Sequence, residues 1–297
     1  MRVGLVGCGR WGALILRDLI TLGCSVDVVA RSAESVLRAQ QGKATSIVST
    51  IGELARIDGI VVATTTPTHA QVVAEALELG VPVFVEKPLT DDPATAAALA
   101  EQAPDRLFVM DKWRYHPGVE AIARIARSGE FGPLRVLHTR RLGWNQGYDD
   151  IDSIWVLLPH DLAIVLEIVG FLPDAAGASG LLGAGQDATL IGFLGPEPNG
   201  VVEISSLSPV RERRVQATFE QAVVLLDGSY ADRLRILRLG AGPDDEEARP
   251  IGDAMPLLEE LQVFVDHLGG GPPPRSSARE GALIVLRIAE LRSLAGV

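Results

Sequence analysis

The feature that most constrains this chain is the glycine spacing at its start, MRVGLVGCGRWG. A short apolar run, Val3-Gly4-Leu5-Val6, stops at Gly7, and Gly9 and Gly12 complete a G-x-G-x-x-G pattern around Arg10 and Trp11. An apolar-periodic stretch then opens at Ala13-Leu14-Ile15-Leu16. The order reads as strand, tight turn, helix. Gly7 allows the turn, Gly9 lets a pyrophosphate approach the backbone, and Gly12 lets the helix pack close to the strand. The helix N-terminus offers free N–H groups and a positive dipole end to the phosphates. A glycine-rich turn of some other α/β protein is the bland alternative. The strand before and the helix after favour dinucleotide binding.

Strand and helix patterns continue to alternate as far as Met110. Val26–Ala30, Ser46–Val48, Ile57–Ala63, Val83–Val85 and Leu107–Met110 read as strands, with helical stretches between them. Unbroken alternation implies right-handed crossovers and a parallel sheet, with ligands beyond the strand C-termini. Three segments fall there: Thr64 to His69 (with Thr65 and Pro67), Glu86-Lys87-Pro88, and Asp111 to His116. They are expected to share one cleft with the glycine loop. The second strand ends in Ala30-Arg31-Ser32, where NAD enzymes usually place an acid for the ribose 2′-OH. Arg31 could hold a 2′-phosphate and Ser32 could donate to it, while Asp27 lies too early, inside the strand. The expected cofactor is NADP rather than NAD; otherwise Arg31 is a solvated strand-end charge.

The later chain differs. From Ala176 to Leu239 short strands follow one another with turn signals between, including Gly195–Gly200. A run of strands after a βα region implies an α+β domain with an open, largely antiparallel sheet. The expected division is 1–117 for an α/β Rossmann domain with a doubly wound parallel sheet, 118–276 for the α+β domain, and 277–297 for a closing helix. Gly242–Glu247 reads as a solvated acidic loop. A length of 297 residues suits two domains, and the net charge of −11 without a basic run speaks against nucleic acid or an anionic membrane surface. No apolar run approaches membrane-spanning length, no secretory signal is visible, and Cys8 and Cys24 form no metal-ligand pattern. A reduced cytoplasmic protein with no metal is the simplest expectation.

Lys87 and His160 are the candidate catalytic residues. Lys87 follows a buried strand and Pro88 biases it away from the helical region. A lysine there can donate to a carbonyl oxygen. As a base near neutrality it would need a pKa below the usual value of about 10.4. A surface lysine paired with Glu86 is the alternative. His160 lies in an apolar helical run between Pro159 and Asp161 and titrates in the range that suits exchange with a hydroxyl. A core histidine capping a kink is the alternative. Arg114, Tyr115, Trp144, Asn145 and Tyr148 have the stacking and hydrogen-bonding character of a sugar pocket. Asp152 and Asp161 could orient the base or bind hydroxyls, although a helix N-cap suits Asp152 better. His69 reads as a cap or a group that positions backbone.

These residues together resemble the glucose–fructose oxidoreductase / inositol dehydrogenase / MocA family. The resemblance rests on Gly7-Cys8-Gly9-Arg10-Trp11-Gly12, Ala63 to His69, Glu86-Lys87-Pro88-Leu89, Arg114 with Pro117, and Trp155…Pro159-His160-Asp161. Glu-Lys-Pro is its most specific element. The resemblance implies NAD(P)-dependent oxidation of a sugar, nucleotide-sugar or cyclitol hydroxyl, or reduction of the matching ketone. It also implies a domain that often builds homodimers or homotetramers and a closing helix that packs on the nucleotide domain. Lys87 then matches the family's catalytic lysine and His160 its histidine. One position departs: many members carry Asp four residues before that histidine, where this chain has Val156. Asp152 could stand in, Lys87 and His160 could suffice, or the protein could be a weakly active or inactive dinucleotide-binding sensor.

Overall fold

A computed structural model describes residues 1–144, 150–242 and 245–297. The chain folds as two compact units: Met1–Lys112 with Met255–Val285, and Trp113–Ala254 with Leu286–Val297.

The first unit holds β1 (Arg2–Val6), α1 (Arg10–Thr21), β2 (Ser25–Val29), α2 (Ala33–Gln41), β3 (Ser46–Val48), β4 (Gly59–Val62), α3 (His69–Leu77), β5 (Val83–Glu86), α4 (Pro93–Gln102) and β6 (Leu107–Met110). The strands form one parallel sheet in the order β3-β2-β1-β4-β5-β6. The order reverses between β1 and β4, the switch point beyond which such sheets bind dinucleotides. The strands read as apolar runs because both faces are covered. Val3, Leu5, Val61, Phe84 and Phe108 form one core with Ile15, Leu16 and Leu19 of α1. Each such burial contributes about 1.5–3 kcal/mol.

The second unit holds α5 (Pro117–Ser128), β7 (Leu134–Leu142), α6 (Ser153–Val169), β8 (Asp174–Leu182), β9 (Ala188–Gly195), β10 (Asn199–Ser205), β11 (Glu212–Phe219), β12 (Ala222–Asp227), β13 (Arg233–Arg238) and β14 (Glu247–Pro250). Its eight-stranded sheet runs β14-β13-β12-β11-β7-β10-β9-β8, antiparallel except for the β7–β10 pair. β14 begins at Glu247, the last residue of the stretch read as a solvated loop. It is a short charged edge strand, the kind that discourages further pairing. α6 is apolar all round and buried along nearly its whole length, as such a helix must be.

α7 (Pro256–Leu268) belongs to the first unit, not to the 118–276 segment with which the sequence grouped it. Leu257, Leu261 and Phe264 recur at helical spacing and enter the nucleotide-domain core, where Phe264 stacks on Phe84 at 4.9 Å between ring centroids. Periodicity shows that a helix has an apolar face but not which sheet that face covers. α8 (Ala278–Ala295) gives its turns up to Val285 to the first unit and the remainder to the second.

Candidate active site

In the first unit the glycine loop has the geometry its spacing predicts. Gly7 has φ +92°, and a Cβ there would lie 2.7 Å from the Ala63 carbonyl oxygen. A Cβ on Gly12 would run into the Gly7 carbonyl oxygen, so α1 approaches the strand end only because Gly12 has none. Gly9 is different: its backbone is extended and a Cβ would meet nothing within 4 Å. That open space lies at the N-cap of α1, which has no side-chain cap hydrogen bond. The N-terminus of α1 and the space over Gly9 fit a dinucleotide pyrophosphate.

The end of β2 carries no acid. Asp27 is fully buried and held by Arg2 Nε at 2.7 Å and Ser46 Oγ at 2.8 Å. Burial opposes its charge, yet these bonds hold the carboxyl below its ordinary range. Arg31 is exposed and its Nε donates to the Ser49 carbonyl at 3.2 Å. Ser32 caps α2 by accepting from Ser35 N at 3.1 Å, which leaves its hydroxyl proton available to a ligand.

Glu86 ends β5 and is buried. The Trp11 indole N–H donates to one carboxylate oxygen, and the Lys87 backbone N–H donates to the other at 3.2 Å. Burial raises the Glu86 pKa, against the pull of Lys87, Trp11 and Lys112. Lys112 Nζ sits 4.2 Å over the Trp11 ring, a cation–π contact that fixes the indole from its other face. The glycine loop is thus tied directly to the strand end that carries Lys87.

A second tie comes from α3. His69 is buried, with Nδ1 2.8 Å from the Pro88 carbonyl oxygen and Nε2 3.1 Å from that of Thr64. Burial holds its pKa down despite these acceptors. A neutral ring has one N–H, so it donates to one carbonyl at a time. His69 therefore lies between the Pro88 carbonyl, one residue after Lys87, and the Thr64 carbonyl beyond β4, and donates to one of them. Thr68 Oγ1 reaches Thr64 Oγ1 at 2.9 Å and donates to the Thr65 carbonyl at 2.8 Å, ordering the turn that contains Pro67.

In the second unit His160 lies in the middle of α6, half-buried, directly after Pro159. Asp161 is buried and accepts from Arg141 Nε on β7 at 2.5 Å, and Arg141 lies 4.7 Å over the Trp113 ring. This pair anchors the turn of α6 that carries His160 to the sheet. Val156, one turn earlier, is buried. Asp152 caps α6 by accepting from Ile154 N at 3.0 Å and also accepts from Arg292 Nη1 at 2.6 Å. Asp152 lies one helical turn, about 6 Å along the axis, before Val156 and about 12 Å before His160. Arg114 is buried and donates to Glu167 at 3.1 Å, and Tyr115 is buried beside it in the chain. Trp144 is exposed. Asn145 and Tyr148 lie outside the described residues.

Sequence reasoning passed over three groups. Glu260 of α7 is buried, and its pKa is raised well above the usual carboxylate value by burial and by Glu86 and Asp111. The Arg141–Asp161 pair joins residues twenty apart. Arg213 of β11 is a half-buried arginine among strand residues that read as solvent-facing. A glutamate inside the apolar stripe of α7 was the one available signal for Glu260.

Residues 1–109 match the model of an oxidoreductase family described as NAD-binding Rossmann fold, the GFO_IDH_MocA family. The chain is 27% identical over 287 residues to UDP-N-acetylglucosamine 3-dehydrogenase from Acidithiobacillus ferrooxidans, covering 92% of this chain and 90% of that protein. It is 33% identical over 144 residues to a myo-inositol dehydrogenase from Streptomyces leeuwenhoekii, covering 46% and 44%. Among solved structures, a levoglucosan dehydrogenase in complex with NADH and levoglucosan superposes with a TM-score of 0.85 at 14% identity, covering 100% and 97% of the two chains. At that identity the likeness shows the fold alone. Among the described residues, no helix is long and apolar enough to cross a membrane.

Proposed function

We propose that the protein is an NADP-dependent oxidoreductase that moves hydride between the nicotinamide and a hydroxyl or keto carbon of a sugar, nucleotide sugar or cyclitol. The observation that carries this reading is the double tie on the Lys87 loop: Trp11 to Glu86 before it, and His69 to Pro88 after it. A lysine held this firmly at a strand end beside the phosphate loop suits a reacting oxygen better than solvent. The related dehydrogenases act on nucleotide sugars and cyclitols, as their names state, which supports the same substrate range.

When bound, the dinucleotide supplies the carbon that gives or accepts hydride. Lys87 then hydrogen-bonds the reacting oxygen, and His160 takes or returns its proton. Glu86 and His69 hold Lys87 in place. Thr64, Thr65 and Pro67 line the nicotinamide, while Arg10 and Trp11 flank the phosphates. Arg31 and Ser32 favour the 2′-phosphate, and Asp27, inside β2, is sequestered by Arg2 and Ser46. The exposed apolar Leu181, Ile191 and Phe193 on β8 and β9 support association into homodimers or homotetramers, and a cytoplasmic location agrees with two free cysteines.

The test is a panel of sugars, nucleotide sugars and cyclitols assayed with NADP and NAD. Lys87→Ala should lower kcat by about 10²–10⁴, with the circular dichroism spectrum unchanged. Unchanged turnover would remove Lys87 from the mechanism. Tighter binding of NAD than NADP would overturn the cofactor assignment.

A further inference from the structure

Helix and strand geometry place Glu260 of α7 beside the strand end that carries Lys87. Leu268, at the far end of α7, lies against Gly59, the first residue of β4. Phe264 stacks on Phe84 of β5. The helix therefore runs from the ligand edge of the sheet toward the opposite edge. Glu260 lies one turn before Phe264, about 6 Å nearer the ligand edge. Glu86 lies two residues after Phe84 on the same face of β5, about 7 Å nearer that edge. The two buried carboxyls thus stand level with each other.

Their surroundings differ. Glu86 accepts the Trp11 indole N–H and the Lys87 backbone N–H, and the charges of Lys87 and Lys112 act on it. Glu260 accepts one backbone N–H, from Asp111, and its buried Oε2 has no hydrogen-bond partner among the described residues. The Asp111 carboxylate and Lys112, just beyond β6, also act on it. On α1, which packs against α7, Asp18 is buried and paired with Arg17 at 2.7 Å. On α7 itself Glu259 is exposed. Two neighbouring buried carboxyls do not both ionise at ordinary cost, and the one supplied with donors keeps the charge. The proton settles on Glu260, whose pKa is pushed well above the usual carboxylate value by burial and by the charges of Glu86 and Asp111.

We propose that Glu260 is a positioning residue of the dinucleotide site, a buried uncharged acid that leaves Glu86 on the Trp11 indole and Lys112 over its ring, and so keeps the glycine loop tied to the strand end that carries Lys87. The inference rests on the dinucleotide-binding part of the reading above. An ionised Glu260 would repel Glu86 and draw Lys112 toward itself. Both changes loosen the indole, which Glu86 holds at its N–H and Lys112 at its face.

The experiment uses the full chain as wild type, Glu260→Gln and Glu260→Met, titrated by calorimetry with NADP and with NAD from pH 6 to 9. The readout is the ratio of wild-type to Glu260→Gln affinity, in which ionisation of the dinucleotide itself cancels. At pH 6 the ratio should be near one, because the amide keeps the shape of the acid and its acceptor for the Asp111 N–H. By pH 9 it should fall about tenfold or more, within the limit of about tenfold per pH unit that one linked proton allows. Glu260→Met is equally uncharged but lacks the acceptor. It should bind more weakly than Glu260→Gln by the same factor at every pH, and it supplies the comparison if the glutamine variant does not fold. A merely structural role would change affinity by one factor across the range, so a ratio that stays constant with pH would overturn the proposal while leaving the dehydrogenase reading intact. Failure of both dinucleotides to bind the wild type at any pH would overturn the two together.

Discussion

Two glycines three residues apart have opposite reasons for being glycine. A Cβ at Gly12 meets the carbonyl oxygen of Gly7, and backbone cannot swing aside as a flexible side chain can. Gly12→Ala should therefore cost about 1–3 kcal/mol of stability, as overpacking does. At Gly9 the backbone is extended and the space around a Cβ is open. Gly9→Ala should fold with a change below about 1 kcal/mol, because alanine adopts that conformation without strain. It should nonetheless bind the dinucleotide far more weakly, since its methyl fills the space a pyrophosphate needs. Thermal denaturation and NADP titration of both variants separate the two roles. A stable Gly12→Ala protein would show that the loop yields more easily than its geometry implies.

At the scale of elements, α6 carries His160 and is pinned at two points. Asp152 caps its start, and Asp161 ties its middle to Arg141 on β7. Breaking a buried pair by removing one partner leaves the other charge stranded. Arg141→Met should therefore cost about 3–5 kcal/mol in chemical denaturation, and Arg141→Met with Asp161→Leu should recover most of it. A loss below about 1 kcal/mol in the single variant would mean that Asp161 is solvated or finds another partner. These elements also show what the sequence could disclose. Lys87 was legible because topology alone puts the residue after a buried parallel strand at the ligand edge. The parallel sheet was legible from alternation, and the strand run after it from turn residues. Asp161 was visible as a neighbour of His160, but its partner was not, because register between β7 and α6 is decided by packing. Arg213 was illegible for a related reason. An arginine in a strand reads as solvent-facing until the pairing with Arg141 shows that the two share a face.

At the scale of the whole molecule, Glu260 of α7 makes the stability of the first unit depend on pH. Its folded pKa lies well above the ordinary 4.5. The acid therefore favours the fold fully below its unfolded pKa and loses that contribution as pH rises toward the folded value. Glu86 acts in the same direction. Glu260→Gln keeps the shape without the ionisation, so it should gain on the wild type as pH rises from 5 to 8. Urea denaturation of the pair at both values checks this, and a difference that does not change with pH would show that the folded pKa of Glu260 is not raised. α8 carries a different consequence, for handling the protein. Its turns after Val285 belong to the second unit, where Leu291 fills the space over Gly192 and Arg292 clamps Asp152 at the start of α6. A protease cut between Val285 and Leu291 would leave the nucleotide domain its share of the helix. The same cut would separate Arg292 from the helix that bears His160 while leaving the glycine loop untouched. Intact mass, rather than cofactor binding, is the measure of whether a purified sample is whole.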